Sequence, residues 1–129
     1  VVLSGLETVL LVEDEEQVRA VFKTILARNG YRVLEAQDGA HALLVSERHR
    51  GVIDLLLTDV KMPRMNGLEL ARLLGTTRPS MQTLYISGYA QNSKLQSGER
   101  GGVTFLPKPI TPELLLSKVR RVLDRRAAL

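Results

Sequence analysis

The chain of 129 residues contains no cysteine and no tryptophan, and it has no long apolar run. Without cysteine, disulfide bridges and thiolate metal sites are excluded, and the composition fits a reducing compartment. The longest wholly apolar runs have about four residues, whereas a membrane-spanning helix needs about 20. No basic stretch followed by an apolar core marks a secretory leader. These absences predict a soluble, cytoplasmic protein without membrane contact.

Basic residues outnumber acidic residues by 18 to 14, which gives a formal net charge of +4. Basic side chains at the end of a helix complement its dipole and stay solvated, so this excess does not by itself indicate a nucleic-acid partner. No aromatic residues interleave with the basic ones, as single-strand binding would require. We therefore do not expect this domain to bind nucleic acid. The excess is concentrated near the end of the chain, in Lys118, Arg120, Arg121, Arg125 and Arg126.

From residue 8 onward, short apolar runs alternate with longer segments of helical period, which is typical of βαβ units in one α/β domain. The best-marked helix is the first, and Asn29 and Gly30 supply its stop. Its predicted apolar face consists of Val18, Val21, Phe22, Ile25 and Leu26, at the i, i+3, i+4, i+7 and i+8 positions.

The later helices and strands are predicted from helix-capping residues and from the proline and glycine residues that interrupt regular structure. A strand over 31–35 precedes a helix capped by Asp38, and a third strand ends at Thr58. A Pro and Asn-Gly loop over 62–67 leads into a helix over 68–74. The last helix starts with Thr111 as its cap and Pro112 at its first position. Residues 1–7 carry no period and are interpreted as a linker remnant, 8–126 as the domain, and 127–129 as a tail.

Four strand-like runs each end on a chemically capable side chain, namely Glu13 with Asp14, Asp59, Ser87 and Lys108. In a parallel sheet with helical crossovers, all such ends lie on one edge. Each residue alone has a plain structural explanation, such as a turn contact or a favourable charge at a helix start. If every one of these residues had only a structural role, four independent strand ends would present compatible chemistry by chance. The set therefore indicates a phosphorylation site.

The chemistry of such a site needs each of these residue types. An aspartate attacks a phosphorus centre only when negative charge is screened by a divalent cation and a fixed positive side chain. Asp14 and Asp59, with Glu13 nearby or acting through water, form the hard oxygen site that Mg²⁺ accepts. Lys108 can pair with Asp59 and later with a phosphoryl oxygen, and Ser87 can donate to another phosphoryl oxygen.

Residues 8 to about 125 resemble the receiver domains of two-component signalling systems. The residues that carry the resemblance are the acidic motif at 11–15, the phosphoacceptor loop at 58–67, the hydroxyl motif Ser-Gly-Tyr-Ala at 87–90 and the Lys-Pro-Ile motif at 108–110. The stretch Gly-Gly-Val-Thr-Phe-Leu-Pro-Lys-Pro makes the chain most similar to receivers attached to hybrid sensor histidine kinases.

The resemblance implies a flavodoxin-like (βα)5 fold, a doubly wound five-stranded parallel sheet of order 2-1-3-4-5 in three α/β/α layers. It implies Asp59 as phosphoacceptor and Mg²⁺ held by Asp14, Asp59 and the Lys61 backbone carbonyl, with Glu13 assisting. The donor would be a phosphohistidine of a histidine kinase or histidine phosphotransfer domain. The domain would catalyse its own phosphoryl transfer and dephosphorylation without being a separate enzyme.

Three positions depart from the commoner receiver pattern. Glu13 replaces an aspartate, Phe105 stands where many receivers have a switch tyrosine, and Pro107 precedes the lysine. The resemblance implies a switching face made of the fourth helix, the fifth strand and the fifth helix, with Ser87 and Phe105 as switch residues. In that face, 90–102 has Leu95 as its only large apolar residue and is predicted to be weakly anchored. A cis peptide bond is predicted at Lys108-Pro109.

One alternative is a receiver-like interaction module that works without phosphorylation, against which the complete acid, hydroxyl and lysine set argues. Another, a phosphatase of the haloacid-dehalogenase type, needs a second aspartate where Lys61 stands. The sequence identifies neither stimulus, cognate kinase, downstream acceptor nor output domain. It leaves open whether the domain dimerises and whether the parent chain is a hybrid histidine kinase.

Overall fold

The computed structural model describes residues 3–87, 98–100, 103–107 and 109–127. Of residues 87, 98–100, 103, 104, 126 and 127 it describes the backbone alone. None of the described helices is long and apolar enough to cross a membrane. The elements in chain order are β1 (Thr8–Val12), α1 (Glu16–Arg28), β2 (Arg32–Ala36), α2 (Gly39–Arg48), β3 (Leu55–Asp59), α3 (Gly67–Thr77), β4 (Gln82–Ser87), β5 (Gly98–Arg100), β6 (Val103–Pro107) and α4 (Pro112–Ala127).

The sheet has the strand order β2-β1-β3-β4-β6-β5. The five neighbouring strands β2, β1, β3, β4 and β6 are parallel. Because β6 is the strand predicted as the fifth, the predicted parallel order 2-1-3-4-5 is confirmed. The structure adds β5, a three-residue strand that pairs antiparallel with β6 at the edge of the sheet. This strand lies within the segment 90–102 and was not predicted.

Two apolar clusters cover the two faces of the sheet, which confirms the three-layer arrangement. Successive side chains of a strand point to opposite faces. In β1, therefore, Val9 and Leu11 pack with α1 and α4, whereas Leu10 and Val12 pack with α2 and α3. β3 is buried along its whole length. Strands covered on both faces are continuously apolar rather than alternating, as the runs in β1 and β3 are.

The predicted apolar face of α1 is wrong at one position. Phe22 and Leu26 are buried, and Val18 and Ile25 are partly buried against the core. Val21, however, is 56% exposed. At 3.6 residues per turn it lies about 140° around the helix from Leu26, beyond the stripe that contacts the sheet. The predicted stop is confirmed, since α1 ends at Arg28 and Gly30 has a φ of 96°.

Side-chain caps fix where the other helices start. Asp38 Oδ1 accepts from the backbone N–H of His41 at 2.8 Å, as predicted for α2. Thr111 Oγ1 accepts from the N–H of Leu114 at 3.1 Å, which confirms the cap of α4. α3 starts one residue earlier than predicted because Asn66 and Glu69 form a reciprocal capping box.

Residues before β1 contact the domain through backbone and side chain. The N–H of Gly5 donates to the carbonyl of Asn29 at 3.0 Å, and the N–H of Arg32 donates to the carbonyl of Glu7 at 3.0 Å. Arg120 of α4 also forms an ion pair with Glu7. The proposed domain boundary at residue 8 stays a prediction.

Candidate metal centre

The ends of two adjacent strands bring the acidic residues together. β1 ends at Val12, directly before Glu13 and Asp14, and Asp59 is the last residue of β3. Val12 is paired with Thr58, so Glu13 and Asp59 leave the sheet side by side at its carboxyl edge. Ligand sites of open α/β sheets form outside this edge.

One carboxylate oxygen from each of Glu13, Asp14 and Asp59 lies within 4.8 Å of the others. Glu13 has no exposed surface and Asp59 is only 6% exposed, whereas Asp14 is exposed. The structure therefore brings together the three acidic residues that the sequence selected. These three carboxylates could hold a metal ion.

Glu13 is the most constrained member of the cluster. Its backbone N–H donates to the carbonyl of Ala36 at 3.1 Å, and its Oε2 accepts from the N–H of Glu15 at 2.9 Å. The pKa of Glu13 is raised to about 8, mainly by burial and next by the contact with Asp59, against the opposing hydrogen bond from the N–H of Glu15. Ionising this carboxyl group beside Asp59 thus needs a compensating positive charge.

A hard divalent cation would meet that need. Oε1 of Glu13 is buried and has no hydrogen-bond partner, although buried polar atoms normally have one. The donor set consists of carboxylate oxygens, which hard cations such as Mg²⁺ and Ca²⁺ prefer. The residues present therefore fit such a cation.

The loop after Asp59 is tightly closed. The N–H of Val60 donates to the carbonyl of Ile86 at 3.0 Å, and the N–H of Gly67 donates to the carbonyl of Val60 at 2.8 Å. A Cβ atom on Gly67 would collide with the backbone carbonyl of Asp59. Only glycine fits this approach of α3 to the candidate phosphoacceptor. Lys61 lies in the same loop, and its carbonyl as a metal ligand stays a prediction.

A sharp turn in this loop places Arg64 beside the acidic residues. Arg64 has a φ of 71°, and the N–H of Met65 donates to the carbonyl of Pro63 at 2.7 Å, as in a γ-turn. An open cleft of about 250 Å³ lies here, lined by Asp14, Gln37, Asp38, Pro63 and Arg64. Asp14 is therefore reachable from solvent through this cleft.

The hydroxyl and lysine positions are described only in part. Ser87 ends β4 and is paired with Pro107 of β6, so its backbone lies at the same carboxyl edge as Asp59. The structure does not describe the side chain of Ser87. Lys108 follows Pro107 and lies outside the described residues, as does the bond predicted to be cis.

Phe105 lies in an aromatic pair that sequence reasoning missed. It is 3% exposed and stacks on Tyr85 with 5.4 Å between ring centroids. Both rings pack against Val60, the residue that follows Asp59. Burial raises the pKa of the Tyr85 hydroxyl. The period-two pattern of β4 could have indicated the pair, because it separates Tyr85 from the core residues Leu84 and Ile86.

The family model described as "Response regulator receiver domain" matches residues 9–120. The chain therefore belongs to the receiver-domain family of response regulators. It is 39% identical over 127 residues to the sensor kinase CckA of Brucella abortus. This match covers 96% of this chain and 13% of that kinase. It is 37% identical over 118 residues to the response regulator MprA of Mycobacterium leprae, covering 91% of this chain and 51% of MprA. The chain thus spans about an eighth of the length of CckA and about half the length of MprA.

Solved structures agree with this assignment. The receiver domain of the hybrid histidine kinase CckA matches with a TM-score of 0.76 and 38% identity, over 90% of this chain and 98% of that domain. A CheY-like receiver from Methanospirillum hungatei matches with a TM-score of 0.79 and 30% identity, over 96% and 98% of the two chains. These matches confirm the flavodoxin-like receiver fold and the predicted similarity to receivers of hybrid kinases.

Proposed function

We propose that this receiver domain accepts a phosphoryl group on Asp59 while Glu13, Asp14, Asp59 and the Lys61 carbonyl hold Mg²⁺. The observation that carries the proposal is the convergence of three carboxylates within 4.8 Å at the carboxyl edge of a parallel sheet. Three carboxylates and one carbonyl leave coordination positions for water and a phosphoryl oxygen, as Mg²⁺ requires. Ca²⁺ would need more protein oxygens.

Asp59 is the best nucleophile of the three. Glu13 is fully buried, and one of its oxygens is occupied by the N–H of Glu15. Asp14 is exposed and follows Glu13 outside the strand. Asp59 ends β3 and retains a small exposed fraction of 6%. The Val60–Gly67 hydrogen bond behind it holds its backbone still during attack.

In the proposed step, a carboxylate oxygen of Asp59 attacks the phosphorus of a phosphohistidine. The new P–O bond forms as the P–N bond breaks, and the imidazole nitrogen leaves with the bonding electron pair. The product is an acyl phosphate on Asp59. Bound Mg²⁺ would supply positive charge against the carboxylates and the phosphoryl oxygens. Lys108 would neutralise a further phosphoryl oxygen, and the Ser87 hydroxyl would donate to another, as the family motif implies.

The switch would pass from Ser87 to the switching face that the resemblance implies. This face consists of the segment between β4 and β6, the strand β6, which is the predicted fifth strand, and the helix α4, which is the predicted fifth helix. The pairing of Ser87 with Pro107 supports a link between the site and β6. Phe105 on β6 and Tyr85 on β4 would repack when Ser87 moves toward the phosphoryl group. Phe105 carries no hydroxyl, so this switch would act through packing alone.

The proposed donor is a histidine kinase or a histidine phosphotransfer domain in the cytoplasm. The similarity to the CckA receiver supports a place in a hybrid kinase, and the similarity to MprA supports a separate response regulator. In either setting the receiver domain would be the acceptor in a two-component phosphorelay.

The test is phosphorylation by acetyl phosphate in Mg²⁺, followed by the intact mass of the protein. The wild type should gain one phosphoryl group, and Asp59→Asn should gain none. The matched control is Asp38→Asn, which removes a neighbouring carboxylate but keeps a side chain that caps α2 equally well. Asp38→Asn should be modified as the wild type is.

Modification of Asp59→Asn to the wild-type extent would refute the assignment of Asp59. If the folded wild type binds neither phosphoryl group nor beryllofluoride, the alternative of an interaction module that works without phosphorylation would replace this proposal.

A further inference from the structure

Arg19 of α1 makes a direct bond to the acidic loop. Its Nη1 donates to the backbone carbonyl oxygen of Glu13 at 2.7 Å, a short charge-assisted hydrogen bond. The side chain is only 17% exposed, so solvent weakens this bond little. Sequence reasoning did not select Arg19, because an arginine near the start of a helix has no signature of its own.

With this bond, the main chain of Glu13 is held on both sides. Its N–H is bonded to the carbonyl of Ala36 on β2, and its carbonyl is bonded to Arg19 on α1. The carboxylate is oriented in turn, since Oε2 accepts from the N–H of Glu15. The other oxygen, Oε1, is buried without a hydrogen-bond partner, and one carboxylate oxygen of Glu13 lies within 4.8 Å of those of Asp14 and Asp59.

Arg19 is itself held in place by Glu35 of β2. Its Nε lies 3.4 Å from Oε1 of Glu35, while Nζ of Lys23 lies 2.9 Å from Oε2 of the same carboxylate. Arg19 therefore connects Glu35 to the acidic loop. Lys23 shares the Glu35 partner, which makes it a matched control for the loss of one cation from this carboxylate.

We propose that Arg19 is a positioning residue of the metal centre. It fixes the direction in which Glu13 presents its carboxylate, because it holds the Glu13 main chain from the side of α1. The inference rests on the proposed function, because it requires the acidic cluster to bind Mg²⁺. Residues that orient metal ligands commonly change metal affinity about 10–100-fold when they are removed.

The test compares Arg19→Met with Lys23→Met by titration calorimetry with MgCl₂. Methionine keeps helix propensity and much of the aliphatic packing of both side chains. Arg19→Met should weaken Mg²⁺ affinity by about tenfold or more, at the lower end of that range. Lys23→Met should stay within about twofold of the wild type, because the bond to Glu13 remains. Equal affinities in Arg19→Met and the wild type would overturn the proposal.

Phosphorylation by acetyl phosphate gives a second readout. Arg19→Met should need more Mg²⁺ for half-maximal rate and reach the wild-type rate at saturation. A lower saturating rate with an unchanged Mg²⁺ requirement would contradict a positioning role. If Arg19→Met does not fold in EDTA, Glu35→Gln replaces it, because this variant removes the carboxylate that holds Arg19. Glu35→Gln should also weaken Mg²⁺ affinity. Wild-type affinity in Glu35→Gln would then overturn the proposal.

The two proposals fail in different ways. If Asp59→Asn is modified as the wild type is, the proposed function fails. If the wild type binds Mg²⁺ and is modified at Asp59 while Arg19→Met titrates identically, the function stands and the role of Arg19 fails.

Discussion

Asp59 is a carboxylate that the fold keeps almost fully buried next to Glu13, although like charges in low dielectric repel each other. Burial and the contact with Asp59 together raise the pKa of Glu13 to about 8, so the folded, metal-free domain resists ionising Glu13 beside Asp59, whereas the unfolded chain ionises it freely. Such an arrangement costs stability and is typical of functional sites. The cost should be measurable by removing one charge.

Asp59→Asn should raise the free energy of unfolding in EDTA by on the order of 1 kcal/mol, the equivalent of about one pKa unit of repulsion. In saturating Mg²⁺ the wild type should regain this difference, because ligand binding stabilises the folded state. Urea unfolding in both conditions measures the effect. Glu16→Gln, which neutralises an acidic residue in the first turn of α1, is the control. Its difference in stability from the wild type should be the same in EDTA and in saturating Mg²⁺, because the acidic cluster is intact.

A lower stability of Asp59→Asn in EDTA would contradict this account. It would mean that a positive partner such as Lys108 stabilises the ionised Asp59 by more than the neighbouring carboxylates repel it.

Among the elements, α3 is the one whose start is tied most closely to the site. Its first residue, Gly67, touches the carbonyl of Asp59, and the capping box of Asn66 and Glu69 holds the turn before it. A side chain at Gly67 must therefore displace backbone rather than a flexible side chain.

Gly67→Ala should destabilise the domain by about 1–3 kcal/mol, as overpacking of a tight contact does. It should also reduce phosphorylation, because Asp59 would shift. Gly75→Ala on the same helix is the matched control: a Cβ there meets nothing within 4 Å. That substitution should stabilise the domain by about 0.4–1 kcal/mol. Urea unfolding that ranks the two variants equally would refute the close approach.

The element boundaries show what local patterns can predict. The core of each described helix and parallel strand followed from apolar runs, helical periods, caps and breakers, but α3 runs to Thr77 rather than ending at Leu74. Its last turn is polar, and its end is held by tertiary bonds, since Arg78 reaches the carbonyls of Ser46 and His49 on the α2 side. β5 was missed because its three residues carry no apolar alternation and depend on pairing with β6.

On the scale of the whole molecule, Arg120 of α4 connects the chain before β1 to the last helix. Its guanidinium binds both oxygens of Glu7, at 3.1 Å and 2.6 Å, and donates to Ser4 O at 3.2 Å and Tyr31 Oη at 3.1 Å. Arg120 and Glu7 are 15% and 22% exposed. The bond from Arg120 lowers the pKa of Glu7 below its ordinary value of 4.5.

A double-mutant cycle of Glu7→Gln and Arg120→Met should give a coupling free energy of about 1 kcal/mol at neutral pH, near the upper end for partly exposed pairs. Because the folded-state pKa of Glu7 is lowered, this stability is present above pH 4.5 and is lost as the pH falls through the folded pKa. Urea unfolding at neutral and acidic pH checks both statements. A coupling that does not change with pH would contradict an ionised Glu7 as the partner.

The candidate site was more predictable than the bonds that support it. Glu13, Asp14 and Asp59 could be selected because parallel strands place their carboxyl ends on one edge, whatever the loops do. Arg19 could not, because its role depends on how α1 is rotated against the acidic loop. Burial of Glu13 likewise follows from packing, which the sequence alone does not report.

The central claim is that Asp59 carries the phosphoryl group, and chemical mapping of the acyl phosphate tests it most directly. The protein is incubated with acetyl phosphate, with Mg²⁺ or with EDTA, and then reduced with borohydride, which converts an aspartyl phosphate to homoserine. Peptide mass spectrometry should find homoserine at position 59 in Mg²⁺ and none in EDTA. Homoserine at position 14 instead, or equal conversion with and without Mg²⁺, would contradict the account.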